Sequence, residues 1–122
     1  MKKKILIVDD SASILNTLRF TLGVAGYEVI TASDGLQAVD ILHKNSDIDL
    51  IVTDLYMPGM DGLELTRKIR SMENFKYHPV VFLTNEFRED RKEEAKKAGA
   101  TGWIKKPFTM EKFTAVIKKV IR

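Results

Sequence analysis

A doubly wound α/β fold, with a five-stranded parallel sheet and helices on both faces, is predicted by three features of the sequence. Five short apolar runs, at residues 5–8, 28–32, 50–53, 80–83 and 102–104, alternate with five stretches of helical periodicity. Three of the runs are continuously apolar, the pattern of strands covered on both faces of a parallel sheet. Gly26, Gly35, Gly59, Gly62 and Gly99 punctuate the stretches between them, as helix caps and turns require. The repeating unit is strand then helix, five times over.

Each element has its own justification. Ile5-Leu6-Ile7-Val8 is the first buried strand, and it ends abruptly at Asp9-Asp10. Ile14, Leu18, Leu22 and Ala25 then form an apolar stripe at helical spacing, with Ser11 or Ser13 as its N-cap. After the run at 28–32 comes a helical stretch that carries His43, and then Leu50-Ile51-Val52-Thr53 ends at Asp54. Leu65, Ile69 and Met72 mark the third helix, before the run at 80–83. The stretch 88–98 offers only Ala95 and Ala98 to a core, with Phe87 just before it. At roughly 25 cal/mol per Å² so small a stripe holds weakly, and this helix is expected to be the most loosely docked. Phe113, Val116, Ile117 and Val120, at i, i+3, i+4 and i+7, define the last helix.

With 122 residues the chain is expected to be one domain, 1–122, with room for a real core but not for two. An apolar fraction of 44% and a charged fraction of 30% describe an ordinary soluble protein. The absence of Cys excludes disulfides and thiolate metal sites. Lys2-Lys3-Lys4 resembles the start of a signal peptide, but only four apolar residues follow, far short of an h-region or a membrane span. A cytoplasmic protein with no membrane insertion is expected. The net charge of +3 lies largely at the two ends and is read as solvated termini rather than a nucleic-acid footprint. No repeat, linker or low-complexity tract interrupts the chain. The last helix reaches the final residue, so an effector domain is not expected and a monomer is.

The chemistry-bearing residues fall at strand ends. Open α/β sheets bind ligands beyond the carboxyl ends of their strands, where the winding reverses. With strand order 2-1-3-4-5 the reversal lies between the first and third strands, which end in Asp9, Asp10 and Asp54. Three carboxylates in one crevice repel one another, and such a cluster takes up protons or a cation. Carboxylates, a backbone carbonyl and waters make an oxygen-rich octahedral site that suits Mg²⁺. Without Cys or clustered His, zinc and copper are disfavoured. Lys106, before Pro107, can bring a positive charge to the same edge.

Four motifs in order carry a family resemblance: residues 5–11 (Ile-Leu-Ile-Val-Asp-Asp-Ser), residues 53–62 (Thr-Asp-Leu-Tyr-Met-Pro-Gly-Met-Asp-Gly), Thr84, and Lys105-Lys106-Pro107-Phe108. Over nearly its whole length the chain resembles the receiver domain of two-component response regulators, in particular its stand-alone CheY-like form, a flavodoxin-like (βα)5 fold. The resemblance implies that Asp54 accepts a phosphoryl group from a histidine kinase or phosphotransfer protein. Asp10, Asp54 and the Tyr56 carbonyl are then implied to hold Mg²⁺, with Asp9 acting through water. Metal and Lys106 would neutralise charge on the phosphoryl oxygens, which is where catalysis of such transfers mainly lies. Thr84 would donate to a phosphoryl oxygen, and Trp103 occupies the family's switch-aromatic position. The helix 88–98, the last strand and the last helix would form the face that binds a downstream protein, such as a flagellar motor switch. Such a protein is a switch rather than an enzyme. A cis Lys106-Pro107 bond also follows from the resemblance.

Two departures bear on this reading. Asn85, after Thr84, is larger than the residue usual there and narrows the approach to the phosphoryl group. Tyr56 and Glu86 occupy the positions that tune phosphoryl lifetime, and a bulky Tyr and an anionic Glu act on water in opposite directions. His43 and His78 are read as solvated, and Met57, Met60 and Met110 as packing. Two alternatives stay open: a phosphorylation-independent interaction module, and a relay intermediate. An aspartyl phosphatase is disfavoured because Tyr56 stands where its second Asp belongs, and an FMN binder because the phosphate loop is missing.

Overall fold

The three central strands of the sheet are covered on both faces, and the sequence pattern shows how. In the computed structural model, which describes residues 2–85 and 88–121, alternate residues of each central strand feed two separate cores. Leu6, Val8, Ile51, Val80 and Phe82 face one side, and Ile5, Ile7, Leu50, Val52, Val81 and Leu83 the other. Because both sets are apolar, the runs read as continuous rather than alternating.

The elements follow in the order β1 (Lys4–Val8), α1 (Ala12–Val24), β2 (Glu28–Ala32), α2 (Gly35–Lys44), β3 (Leu50–Thr53), α3 (Gly62–Ser71), β4 (Val80–Thr84), α4 (Glu89–Ala98), β5 (Gly102–Lys105) and α5 (Met110–Val120). All pairings are parallel and the strand order is β2-β1-β3-β4-β5, as expected. Leu18 and Leu22 of α1, with Phe113 and Ile117 of α5, fill one core. Buried side chains of α2, α3 and α4 fill the other.

Local signals fix the helix ends. Ser11, not Ser13, caps α1, accepting from the Ile14 N–H at 3.4 Å. Asp34 caps α2 through the Gln37 N–H at 2.8 Å. Asp61 and Glu64 form a reciprocal capping box on α3. The expected α1 stripe is one residue too long. Ala25 is exposed, because the helix stops at Val24 and Gly26, at φ 100°, turns the chain away.

A short 3₁₀ turn, Glu73–Phe75, was not expected from the sequence, and it buries Phe75 completely. Arg70 holds this region together. Its guanidinium donates to the carbonyls of Gly99 (2.6 and 3.2 Å), Phe75 (3.1 Å) and His78 (2.8 Å). Among its ten residues α4 buries only Ala95 and Ala98, the weak stripe read from the sequence. Phe87, expected beside that stripe, lies outside the described residues. No helix among the described residues is long and apolar enough to cross a membrane.

Candidate functional site

Register brings the acidic residues together. Val8 of β1 pairs with Thr53 of β3, so the residues after them leave the sheet side by side. The ladder runs one residue further on each strand: the Asp54 N–H donates to the Val8 carbonyl at 3.0 Å and the Asp9 N–H to the Ala32 carbonyl at 3.1 Å. Carboxylate oxygens of Asp9, Asp10 and Asp54 all lie within 4.8 Å of one another. Asp9 is buried, Asp10 exposed, and Asp54 between the two. The Ser11 N–H donates to Asp9 at 2.9 Å, and the Leu55 N–H donates to Asp54 at 2.7 Å, so each carboxylate is aimed by its own backbone.

Lys106 comes to the same point from the β5–α5 loop. Its main-chain N–H donates to the Thr84 carbonyl at 2.8 Å, and the following peptide bond to Pro107 is cis. The ammonium lies 3.4 Å from Asp9 and 3.5 Å from Asp54. Burial pushes the Asp54 carboxyl above the ordinary carboxylate range. The Lys106 ammonium pulls it back, while the neighbouring Asp9 adds to the rise. Among the described residues, the Lys106 ammonium alone is paired with these carboxylates, which leaves the crevice short of positive charge.

The donor set answers whether a metal fits. Every side chain offered is a carboxylate, and a depression of about 430 Å³ lined by Asp10, Tyr56, Met57, Pro58, Gly59 and Asp61 opens beside them. Hard oxygen donors with room for retained waters match Mg²⁺.

The remaining expected residues are placed as follows. Thr84 ends β4 and is buried. Asn85, next to it, is exposed. Tyr56 is half exposed at the rim. Trp103, on β5, packs edge-on against Phe82 with ring centroids 5.9 Å apart. Its indole N–H is buried without a hydrogen-bond partner among the described residues. A groove of about 400 Å³ runs between α4 and β5, past Lys92, Ala95, Lys96, Gly102 and Trp103. Glu86, expected to tune lifetime, lies outside the described residues.

Two contacts that matter to the site were not read from the sequence. Gly62 packs so closely that a Cβ there would lie 2.3 Å from the Asp54 carbonyl oxygen. The guanidinium of Arg91 on α4 lies over the Tyr56 ring, its carbon 5.5 Å from the ring centroid. The Asp-x-x-Glu pattern at 61–64, a helix-start signal, could have placed Gly62 in the first turn of a helix; nothing in the local sequence pointed to the second.

Fold and site together define a doubly wound α/β protein whose strand ends form an acidic, cation-type crevice faced by a lysine. The chain belongs to the response regulator receiver domain family, whose model matches residues 5–118. It is 35% identical over 119 residues to a chemotaxis protein CheY homolog of Campylobacter jejuni, covering 97% of this chain and 92% of that one. Identity to the chemotaxis protein CheY1 of Helicobacter pylori is 40% over 107 residues, 87% of this chain and 86% of that one. The crystal structure of Vibrio cholerae chemotaxis protein CheY4 superposes with a TM-score of 0.95 at 40% identity, over 99% of this chain and all of that one.

Proposed function

We propose that the chain is a single receiver domain acting as a phosphorylation-controlled switch in chemotaxis signalling, with Asp54 as phosphoacceptor. The observation that carries this reading is the meeting of Asp9, Asp10, Asp54 and Lys106 at one strand edge. An Asp54 carboxylate oxygen attacks the phosphorus of a phosphohistidine on a histidine kinase or phosphotransfer protein. The new O–P bond forms as the N–P bond breaks, and the imidazole leaves with the electron pair. Asp9, Asp10, Asp54 and the Tyr56 carbonyl are the groups that would hold Mg²⁺, which when bound neutralises charge on the transferring phosphoryl oxygens. Lys106 supplies a fixed positive charge on the other side, and Thr84 a hydroxyl donor once the phosphoryl group is in place.

The output follows from what is weakly held. Thr84 shifts toward the phosphoryl group, and Trp103, whose indole N–H has no partner to lose among the described residues, turns into the vacated space. The helix α4 then moves, changing the face shared with β5 and α5, where a downstream protein such as a flagellar motor switch binds. The acting form is a cytoplasmic monomer, and its only catalysis is of its own phosphorylation and dephosphorylation. Tyr56 and Glu86 set how long the phosphoryl group lasts.

Incubation with Mg²⁺ and acetyl phosphate tests this by mass. One phosphoryl group should be added to the wild type and none to Asp54→Asn. A wild-type mass that does not change would overturn the reading.

A further inference from the structure

The helix α4 is fastened unevenly. Both of its buried residues, Ala95 and Ala98, lie in its C-terminal half, and its N-cap residue Arg88 makes no side-chain cap hydrogen bond. Among the described residues, its N-terminal half sets two cations over aromatic rings. Lys92 lies 5.9 Å from the Trp103 ring centroid, at the outer limit of a useful contact. Arg91 is somewhat closer to its ring, and its guanidinium is held in place from its own helix. Its guanidinium carbon lies over the Tyr56 ring, 5.5 Å from the centroid, and Nη1 bonds both oxygens of Glu94 at 3.1 Å. A planar guanidinium held by a carboxylate on its own helix is pre-organised to stack, which a lysine is not.

The ring it lies over belongs to the loop that leaves the acidic crevice, two residues after Asp54. We propose that Arg91 is a positioning residue. Through Tyr56 it ties the N-terminal half of α4 to the β3–α3 loop, so that the setting of the acidic site and the docking of α4 are one coupled equilibrium. Coupling of this kind is reciprocal: what loosens α4 alters the cation affinity of the crevice by the same factor as cation binding alters α4. For its functional meaning the inference rests on the switch proposed above; the tie itself does not.

Hydrogen exchange on the metal-free full chain tests the tie. In Arg91→Ala the amides of residues 92–98 should exchange about two- to five-fold faster, the fold-change that loss of a partly exposed cation–π contact produces. Amides of α5 should be unaffected, and Arg91→Lys should recover only part of the protection. A Mg²⁺ titration read by Trp103 fluorescence then tests the coupling. Its midpoint should shift by about two-fold or more in Arg91→Ala and in Tyr56→Leu, and the double variant should add little to either. Unchanged α4 exchange in Arg91→Ala, or additive midpoint shifts, would overturn the proposal. Should Arg91→Ala fail to fold, Glu94→Gln releases the guanidinium while keeping it, and must show the same loss of protection for the proposal to stand. A wild type that neither binds Mg²⁺ nor takes a phosphoryl group would end the switch reading, while exchange in the metal-free protein still decides the tie.

Discussion

The same substitution, Gly→Ala, should have opposite signs at two helical glycines of this protein. At Gly62, the first residue of α3, a Cβ would lie 2.3 Å from the Asp54 carbonyl oxygen and 3.0 Å from the Leu55 Cα. The first distance falls about 1 Å short of ordinary contact, and both neighbours are backbone, which cannot rotate away as a side chain can. Nor can α3 easily retreat. The Gly62 N–H donates to the Leu55 carbonyl at 2.8 Å, its carbonyl accepts from the buried Thr66 hydroxyl at 2.8 Å, and the Asp61–Glu64 box fixes the turn. Overpacking of this kind costs about 1–3 kcal/mol. The reduced freedom of the unfolded chain returns about 0.4–1 kcal/mol. Gly62→Ala should therefore be destabilising by about 1–2 kcal/mol. At Gly23, near the end of α1, a Cβ meets nothing within 4 Å, so Gly23→Ala should be stabilising by about 0.5–1 kcal/mol. Urea unfolding of the two variants beside wild type measures both. Because the displaced atom belongs to Asp54, Gly62→Ala should also slow phosphorylation by acetyl phosphate, whereas Gly23→Ala should not. Two variants that shift stability in the same direction by similar amounts would refute the close approach.

Other outcomes follow from the same geometry. The Asp54 carboxyl is raised in the fold, so between the ordinary carboxylate value and its folded value the native state binds more protons than the unfolded one. Stability of the metal-free protein should then fall as pH rises through that window, and Asp54→Asn should lose that slope and be the more stable protein at neutral pH; urea unfolding in chelator at several pH values checks it, and parallel curves would count against it. Lys106→Met leaves the Asp9 and Asp54 carboxylates without their ammonium. Its phosphorylation by acetyl phosphate should slow by at least about tenfold at saturating Mg²⁺, as loss of a preorganised charge does, measured by mass against time. Arg70→Ala strips hydrogen bonds from the carbonyls of Phe75, His78 and Gly99. A loss of about 2–3 kcal/mol is expected, and Arg70→Lys should not restore it, because an ammonium cannot span the same acceptors.

The sequence alone determined the layout. Apolar runs this short, without alternation and set between stretches of helical spacing, read as strands covered on both faces, and that places helices on both sides of a parallel sheet. Acidic residues that end two such runs must share an edge, which is why Asp9, Asp10 and Asp54 were legible as a group before any distance was known. The poor stripe of α4 was legible for the same reason, since two alanines bury little however the helix is placed. What the tertiary structure decided are the contacts between segments far apart in the chain, where no periodicity carries the signal. The Lys106 ammonium reaches Asp9 across 97 residues, Arg70 satisfies a carbonyl 29 residues away, and Arg91 finds Tyr56 only because α4 packs beside the β3–α3 loop. Ala25 fits the hydrophobic spacing of α1 but is exposed, because the helix stops at Val24 and the chain turns at Gly26. Gly62 shows the division most plainly. As a residue it announced a turn, but its indispensable property, having no Cβ against the Asp54 carbonyl, exists only once α3 has docked onto the end of β3.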